Sequence, residues 1–413
     1  MEIIDTYLED KSTYQFGREP LLIQSEFFNI KIQKAVENLG RKINLKSVLM
    51  VSAQVLSYNQ FSNFFKDQHK MSVEDRKKFV ENYYAHCGFG KLSMRGISNK
   101  GGHADLISDH YAAAWVKYYG QRPSSHPGVG YFTCGFLCGA IEAIFDVPSG
   151  TFDGKQSMCI SKGESNSRFE IFRGLRRKLN PSPAFGKQQA IDESISENGL
   201  NNQKVVEAIR NLHVTGLASE KGLIEAFDTT WTKHYANYHS LIMIKLLMKA
   251  DQKLGKGGVG HIKKIFKEGA ERNAYFTLGK VLNSSFWKEK IAGLVDSDAN
   301  SQWSACLAVM TGFGYGKWEL TEGSSTEYKV NVINNPLTNA YLKLVGNTKA
   351  PLGYYTGGFL TGLANYIRQN PKPTDVDAEF VNEMVAAKGD VSYKEEQSRM
   401  TGSDKETLMI LVH

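Results

Sequence analysis

No stretch of this 413-residue chain reaches the roughly 18 consecutive apolar residues that a membrane helix requires. The two longest apolar runs, Tyr131–Phe145 and Leu241–Leu247, are broken by Glu142 and Lys245. Cysteine is scarce. Five residues, an odd number, argue against a disulfide frame and for a reducing compartment. The opening Met1, Glu2, Ile3, Ile4, Asp5 lacks the basic-then-apolar order of a secretory leader, so the expected location is cytoplasmic, with no membrane span. Charge of one sign is also weak. Fifty Lys and Arg against 43 Asp and Glu leave +7, and no basic block stands out beyond Arg176–Lys178, so a nucleic-acid partner is not expected. What is present, 41% apolar and 23% charged residues, excludes a disordered, collagen-like or disulfide-scaffold chain. At roughly 150 residues per domain, the length predicts two or three folding units.

The chain is internally repetitive. Gly130-Tyr-Phe-Thr-Cys-Gly-Phe-Leu-Cys-Gly139 and Gly353-Tyr-Tyr-Thr-Gly-Gly-Phe-Leu-Thr-Gly362 lie 223 residues apart and agree at seven of ten positions. At a spacing of 226, Gly88-Phe-Gly-Lys91 aligns with Gly314-Tyr-Gly-Lys317, and Lys117 and Gly120 with Lys343 and Gly346. Met158 and Lys162-Gly163 align at the same spacing with Met384 and Lys388-Gly389. Blocks kept in one order indicate two copies of one domain. The boundary is expected at Asn180-Pro-Ser-Pro-Ala-Phe-Gly186, which can continue neither a helix nor a central strand. That gives a first domain over 1–180, a linker over 181–199 and a second, diverged domain over 200–413.

Periodicity predicts helices at Ser25–Leu39, capped by Gly40, and at Thr229–Leu254, ending at Gly255. Lys91–Ile97 alternates as a strand, with Tyr328–Ile333 as its counterpart in the second copy. Asp109–Tyr119 reads as a helix, and Tyr131–Phe145 as a core helix apolar on nearly every face. Lys155–Ile160 and Ser167–Phe172 read as a hairpin. The fold class is therefore α+β: two copies of a helix-rich domain with a small antiparallel sheet, packed as an intrachain pseudo-dimer. Helical glycines cost about 1 kcal/mol each, so Gly135, Gly139, Gly358 and Gly362 are read as permitting close packing.

The order of these blocks resembles the 4-vinyl-reductase-like domain family, whose fold is shared with a subunit family of the TRAPP vesicle-tethering complex. The residues carrying the resemblance are Leu39-Gly40 and Leu254-Gly255 ending amphipathic helices, the Gly-Phe-Gly-Lys strand start, Gly135–Ala143, and Cys159-Ile-Ser-Lys-Gly-Glu-Ser165 leading into Arg168-Phe-Glu-Ile171. The resemblance implies a dimerising module that binds a hydrophobic small molecule or acyl chain. In sensory members it also implies a zinc site. The corresponding positions are Gln156, Cys159 and Ser167 in the first copy and Asn382, Val385 and Tyr393 in the second. One thiol cannot hold a closed zinc site, so no metal or other cofactor is expected.

Pocket lining is expected beside the glycine-bearing helices, from Tyr131, Phe132, Phe136, Ile141 and Phe145 in one copy and Tyr354, Tyr355, Phe359, Leu363 and Ile367 in the other. Cys134, Cys138 and Cys87 are acylation candidates. Lys256-Gly-Gly-Val-Gly-His-Ile262 has His261 and Ile262 where a phosphate loop needs Lys and a hydroxyl, and it follows a helix, so it reads as a flexible helix connection. His103, Asp105, Asp109 and His110 offer metal-ligand types without a counterpart in the second copy. Glu142 reads as occupying an exposed slot at a dimer surface. With no acid/base pair and no nucleophile elbow, the reading is a non-enzymatic binding module with sensory or carrier roles. The alternatives are a protein scaffold, partnered by another protein or a second copy, and an accessory factor in tetrapyrrole vinyl reduction.

Overall fold

The computed structural model describes residues 5–39, 44, 46–68, 70–174, 179, 202–212, 214–347, 353–403 and 405–413. The expected linker 181–199, the 180–186 boundary and the Gly40 cap lie outside the described residues. The fold mixes helices with three antiparallel sheets. The elements run β1 (Thr6–Leu8), β2 (Thr13–Phe16), β3 (Glu19–Ser25), α1 (Glu26–Asn38), α2 (Val51–Lys66), α3 (Val73–His86), β4 (Gly90–Ser98), β5 (Gly101–Asp109), α4 (His110–Tyr119), α5 (Tyr131–Ile144), β6 (Phe152–Met158) and β7 (Ser167–Arg173). There follow α6 (Gln203–Arg210), β8 (Ile224–Ala226), β9 (Thr229–Tyr235), α7 (Ala236–Asn283), α8 (Ala299–Gly312), β10 (Lys317–Gly323), β11 (Glu327–Ile333), α9 (Pro336–Val345), α10 (Tyr354–Gln369), α11 (Ala378–Ala386), β12 (Val391–Gln397) and β13 (Glu406–Val412).

The same local chemistry starts equivalent elements in each half. Asp109 caps α4 by accepting from the backbone N–H of Tyr111 and Ala112, and Asn335 caps α9 by accepting from Leu337. Ser72 and Asp298 cap α3 and α8 in the same way. The Gly-aromatic-Gly turns that follow need positive φ: Gly88 and Gly90 sit at 79° and 128°, Gly314 and Gly316 at 91° and 88°. Two sheets of matching order result, β4-β5-β7-β6 and β10-β11-β13-β12.

Three expectations are corrected here. Residues 229–235 form strand β9 rather than the first turns of a helix, because Thr229, Trp231 and Tyr235 are buried against β3 while helix α7 starts only at Ala236. Tyr328–Ile333 is the counterpart of β5; the counterpart of Lys91–Ile97 is β10. The Met158 block matches the turn at Arg399–Gly402, not Met384–Gly389, because both turns are short 3₁₀ segments closed by a left-handed glycine, Gly163 or Gly402. The positions matching Gln156, Cys159 and Ser167 are then Glu395, Ser398 and Glu406, while Asn382 and Val385 lie on α11 and before β12.

Side chains at these matched positions keep one task with altered chemistry. Gln156 accepts from the N–H of Gly130 at 2.8 Å, and Glu395 from that of Gly353 at 3.3 Å. Ser167 donates to the Asp109 carboxylate at 2.8 Å, whereas Asn335 donates to the Glu406 carboxylate at 3.2 Å. The carboxylate has changed sides and the bond persists.

The third sheet, in order β1-β2-β3-β9-β8, joins strands from the N-terminus and from the middle of the chain. β3 and β9 pair with Ile23 opposite Lys233, Leu21 opposite Tyr235 and Ser25 opposite Trp231. Backbone bonds cross in matching pairs: Ile23 N–H to Phe313 carbonyl (2.8 Å) and Lys233 N–H to Cys87 carbonyl (3.0 Å). Gly316 donates to Ser12 and Gly90 to Gly222, each at 3.0 Å. Tyr7 and Tyr14 reach from the first hairpin to the Thr311 and Gly312 carbonyls, while Thr215 meets His86 in the reverse direction. Neither half therefore completes its own α3–β4 or α8–β10 corner.

Candidate functional site

The helix glycines are filled against other helices. A Cβ on Gly135 or Gly139 would overlap the Met50 or Gln54 carbonyl oxygen where α5 meets α2. On Gly362 it would lie 2.7 Å from the Ala274 Cβ, and on Gly358 it would overlap the Lys267 carbonyl, where α10 meets α7. The stripes flanking them are packed accordingly. Phe132, Phe136, Ile141, Phe359 and Leu363 are fully buried. Phe136 meets Phe61 edge-on at 5.6 Å, and Phe359 meets Trp318 at 5.8 Å. Tyr131, Phe145 and Tyr354 are partly buried at the margin of that core. Tyr355 and Ile367, by contrast, line cavities.

The other candidates stay apart. Cys87, Cys134 and Cys138 are buried, and burial pushes the Cys87 thiol up to about 12 and raises that of Cys138, so a nucleophilic thiolate is disfavoured at both. Asp105 is paired with Arg168 on the sheet face, 4.0 Å from His103, while Asp109 caps α4. His110 is buried against Asn29 Nδ2 at 3.1 Å, and burial lowers it to about 4. Among the described residues no three His, Cys, Asp or Glu side chains group as a metal site. Residues 256–262 are helical rather than a flexible connection, because only Gly255 (φ 62°, ψ −160°) leaves the helix.

Glu142 is not at an exposed slot. It is fully buried on α5, where one carboxylate oxygen accepts from Gln54 Nε2 (2.8 Å) and from the Phe152 N–H (2.9 Å). Asn365 does the equivalent work on α10, accepting from the Gly389 N–H at 2.9 Å. Both side chains tie the core helix to the segment entering its sheet. Burial pushes Glu142 from 4.5 up to about 7. A raised acid is stabilising in its neutral form: the contribution is full below about pH 4.5 and is lost as pH rises through about 7. At 1.36 kcal/mol per unit, this amounts to about 3 kcal/mol. Glu142→Gln should therefore flatten the decline in urea midpoint between pH 5 and pH 8. An unchanged slope would show that Glu142 is ionised throughout.

A site emerges where the halves differ. At the corner of α2, α3 and α5 the first half carries Phe79, which packs on α2 and also lines a cleft of about 600 Å³ with Asp67, Lys70, Asp75 and Lys78. Phe79 stacks on Phe64 at 4.4 Å, and the Arg76 guanidinium lies 5.0 Å from the Phe65 ring while donating to the Ile144 carbonyl and to Asp146. Helices α3 and α8 match throughout at a spacing of 226 residues, so Phe79 becomes Ala305, Val80 becomes Cys306 and Arg76 becomes Gln302. The corresponding corner, between the end of α7, α8 and α10, holds a cleft of about 330 Å³. Its walls are Leu282, Trp287, Val295, Cys306, Tyr366 and Ile367, and Asn283, Asp296, Ser297, Gln302 and Asn370 supply polar groups. Asn283 donates to the Gly279 carbonyl (2.9 Å) and reaches the Tyr366 hydroxyl at 3.4 Å. Of this cleft, only Ile367 was legible beforehand; the signal that could have found it is the Phe79-to-Ala305 exchange. No helix among the described residues is long and apolar enough to cross a membrane. No family model and no curated protein matches the sequence.

Proposed function

We propose that the chain is a tandem of two 4-vinyl-reductase-like units packed as an intrachain pseudo-dimer, and that its second unit binds a hydrophobic or aromatic small molecule or a short acyl chain without turning it over. The reciprocal backbone bonds across β3 and β9 support the pseudo-dimer. The observation that carries the ligand is the cleft at Cys306 and Ile367, opened by small side chains at the position where the first half carries Phe79. Its volume falls at the lower end of the roughly 300–1,000 Å³ of small-molecule sites, which suits one or two fused rings or a medium acyl chain better than a tetrapyrrole. An apolar wall with a few amide groups fits a ligand with one polar end.

Thermal shift and native mass spectrometry with naphthol-sized aromatics and medium-chain acyl compounds test this. A ligand at a hundred times its Kd adds about 2.7 kcal/mol, a rise in Tm of roughly 3 °C for a chain of this length. Ala305→Phe should abolish that rise, since the ring would occupy the cleft. If no compound shifts the wild-type protein, the ligand reading fails. The second reading, a protein scaffold, would then stand on the use of all four helix glycines for internal packing.

A further inference from the structure

We propose that the tip formed by the middle of α7 docks on a membrane surface rich in anionic lipid. Residues 245–268 carry seven lysines, Lys245, Lys249, Lys253, Lys256, Lys263, Lys264 and Lys267, against Asp251 and Glu268. That is a net +5 within 24 residues of a chain whose whole formal charge is +7. Spaced along the sequence, these lysines form no block; they lie on one helix, on either side of its break at Gly255.

The tip projects. A Cβ built on Gly255, Gly257 or Gly260 would meet nothing within 4 Å. Lys253, Lys256 and Lys264 are exposed. Lys263 and Lys267 lie over the rings of Tyr354 and Tyr393 at 5.2 and 5.1 Å, which holds their ammonium groups beside α10 and β12. Lys245 donates to Ser52 at 2.9 Å; burial first, and then Lys249, lower its pKa to about 8.

The chemistry of the patch selects among anionic partners. Met248, 57% exposed, stands among the lysines, and Leu247 and Val259 are half-buried beside it. Apolar side chains ringed by lysine suit a headgroup interface, where ammonium groups meet lipid phosphates and the apolar groups enter the acyl boundary. The segment has no arginine to fork onto a phosphodiester, and its one Phe, Tyr or Trp, Phe266, is buried, which leaves His261 as the single exposed ring.

Co-sedimentation of the full chain with phosphatidylcholine vesicles, with and without 30 mol% phosphatidylserine, tests the proposal. Binding is expected only to the serine-containing vesicles, and it should weaken steeply between 50 and 300 mM salt. With each lysine near such a surface worth about 1 kcal/mol, Lys253→Glu, Lys256→Glu and Lys264→Glu combined should weaken binding roughly a hundredfold. The combined variant Lys100→Glu, Lys204→Glu and Lys290→Glu carries the same charge change on exposed positions elsewhere and should bind as wild type. Circular dichroism establishes that both variants fold. Equal loss in both triples would reduce the effect to bulk charge and overturn the proposal. So would absence of binding to phosphatidylserine vesicles, or displacement from them by an equal charge concentration of duplex DNA.

Discussion

Gly139→Val is expected to cost about 3–5 kcal/mol of the stability of the chain. The size follows from backbone packing rather than helix propensity. On an exposed helix, replacing glycine gains up to about 1 kcal/mol. Gly139, however, faces the Gln54 carbonyl, the Ser57 hydroxyl and the Tyr58 N–H of α2, and a Cβ would overlap the first two. Helix backbone cannot give way as a flexible side chain can, so α2 and α5 must separate, and overpacking of this kind exceeds the usual 1–3 kcal/mol. Separation also breaks the bond from Ser57 to the Phe136 carbonyl (2.9 Å) and the buried bond from Gln54 to Glu142 (2.8 Å). Urea denaturation followed by circular dichroism measures the loss. Gly257→Ala supplies the contrast. It lies in open space within α7 and should be neutral or stabilising by up to about 1 kcal/mol. Destabilisation of equal size by both substitutions would show that the α2–α5 contact is not the cause.

Phe79→Ala should cost about 3–5 kcal/mol, the range for deleting a buried phenylalanine ring. Phe79 is 4% exposed, and its ring has Phe64, Phe16 and Phe65 at 4.4, 5.8 and 6.3 Å. Collapse into the space is limited, because Arg76 is tied to the C-terminal end of α5 through the Ile144 carbonyl. The variant should therefore carry a cavity at the corner where the second half already has its cleft. Benzene or indole should restore part of the lost stability, as apolar cavities accept apolar guests, and denaturation midpoints with and without the guest measure this. A loss below about 1 kcal/mol would mean that the corner repacks freely, and the comparison between Phe79 and Ala305 would lose its force.

Much of the fold was readable because its signals are local. Asp109 before an amphipathic helix, the paired glycines of Gly88-Phe-Gly90, and alternation from Lys91 to Ile97 each act over a few residues, and each appears where expected. The repeat of Gly130–Gly139 in Gly353–Gly362 was legible for a related reason. Close helix packing allows only glycine at two positions per turn pair, so divergence left them in place. Strand β9 was misread because Trp231, Tyr235, Tyr238 and Leu241 continue one helical stripe; Trp231 and Tyr235 also fit a strand, and only pairing with β3 decides between them. The Met384 alignment failed because α11 and its flanking loops interrupt the second copy, and short matches of Met, Lys and Gly cannot register an insertion.

The sequence by itself determined the α+β class, the caps, the turns and the repetition, since these depend on residues within a turn or a hairpin of one another. Tertiary structure decided three things. It made β3 and β9 one sheet, seated Lys245, Lys263 and Lys267 of α7 against Ser52, Tyr354 and Tyr393, and left an opening beside Cys306 where Phe79 has its ring. Each depends on which distant surfaces are desolvated together. That energy belongs to pairs of segments some two hundred residues apart, and neither member of a pair records it alone.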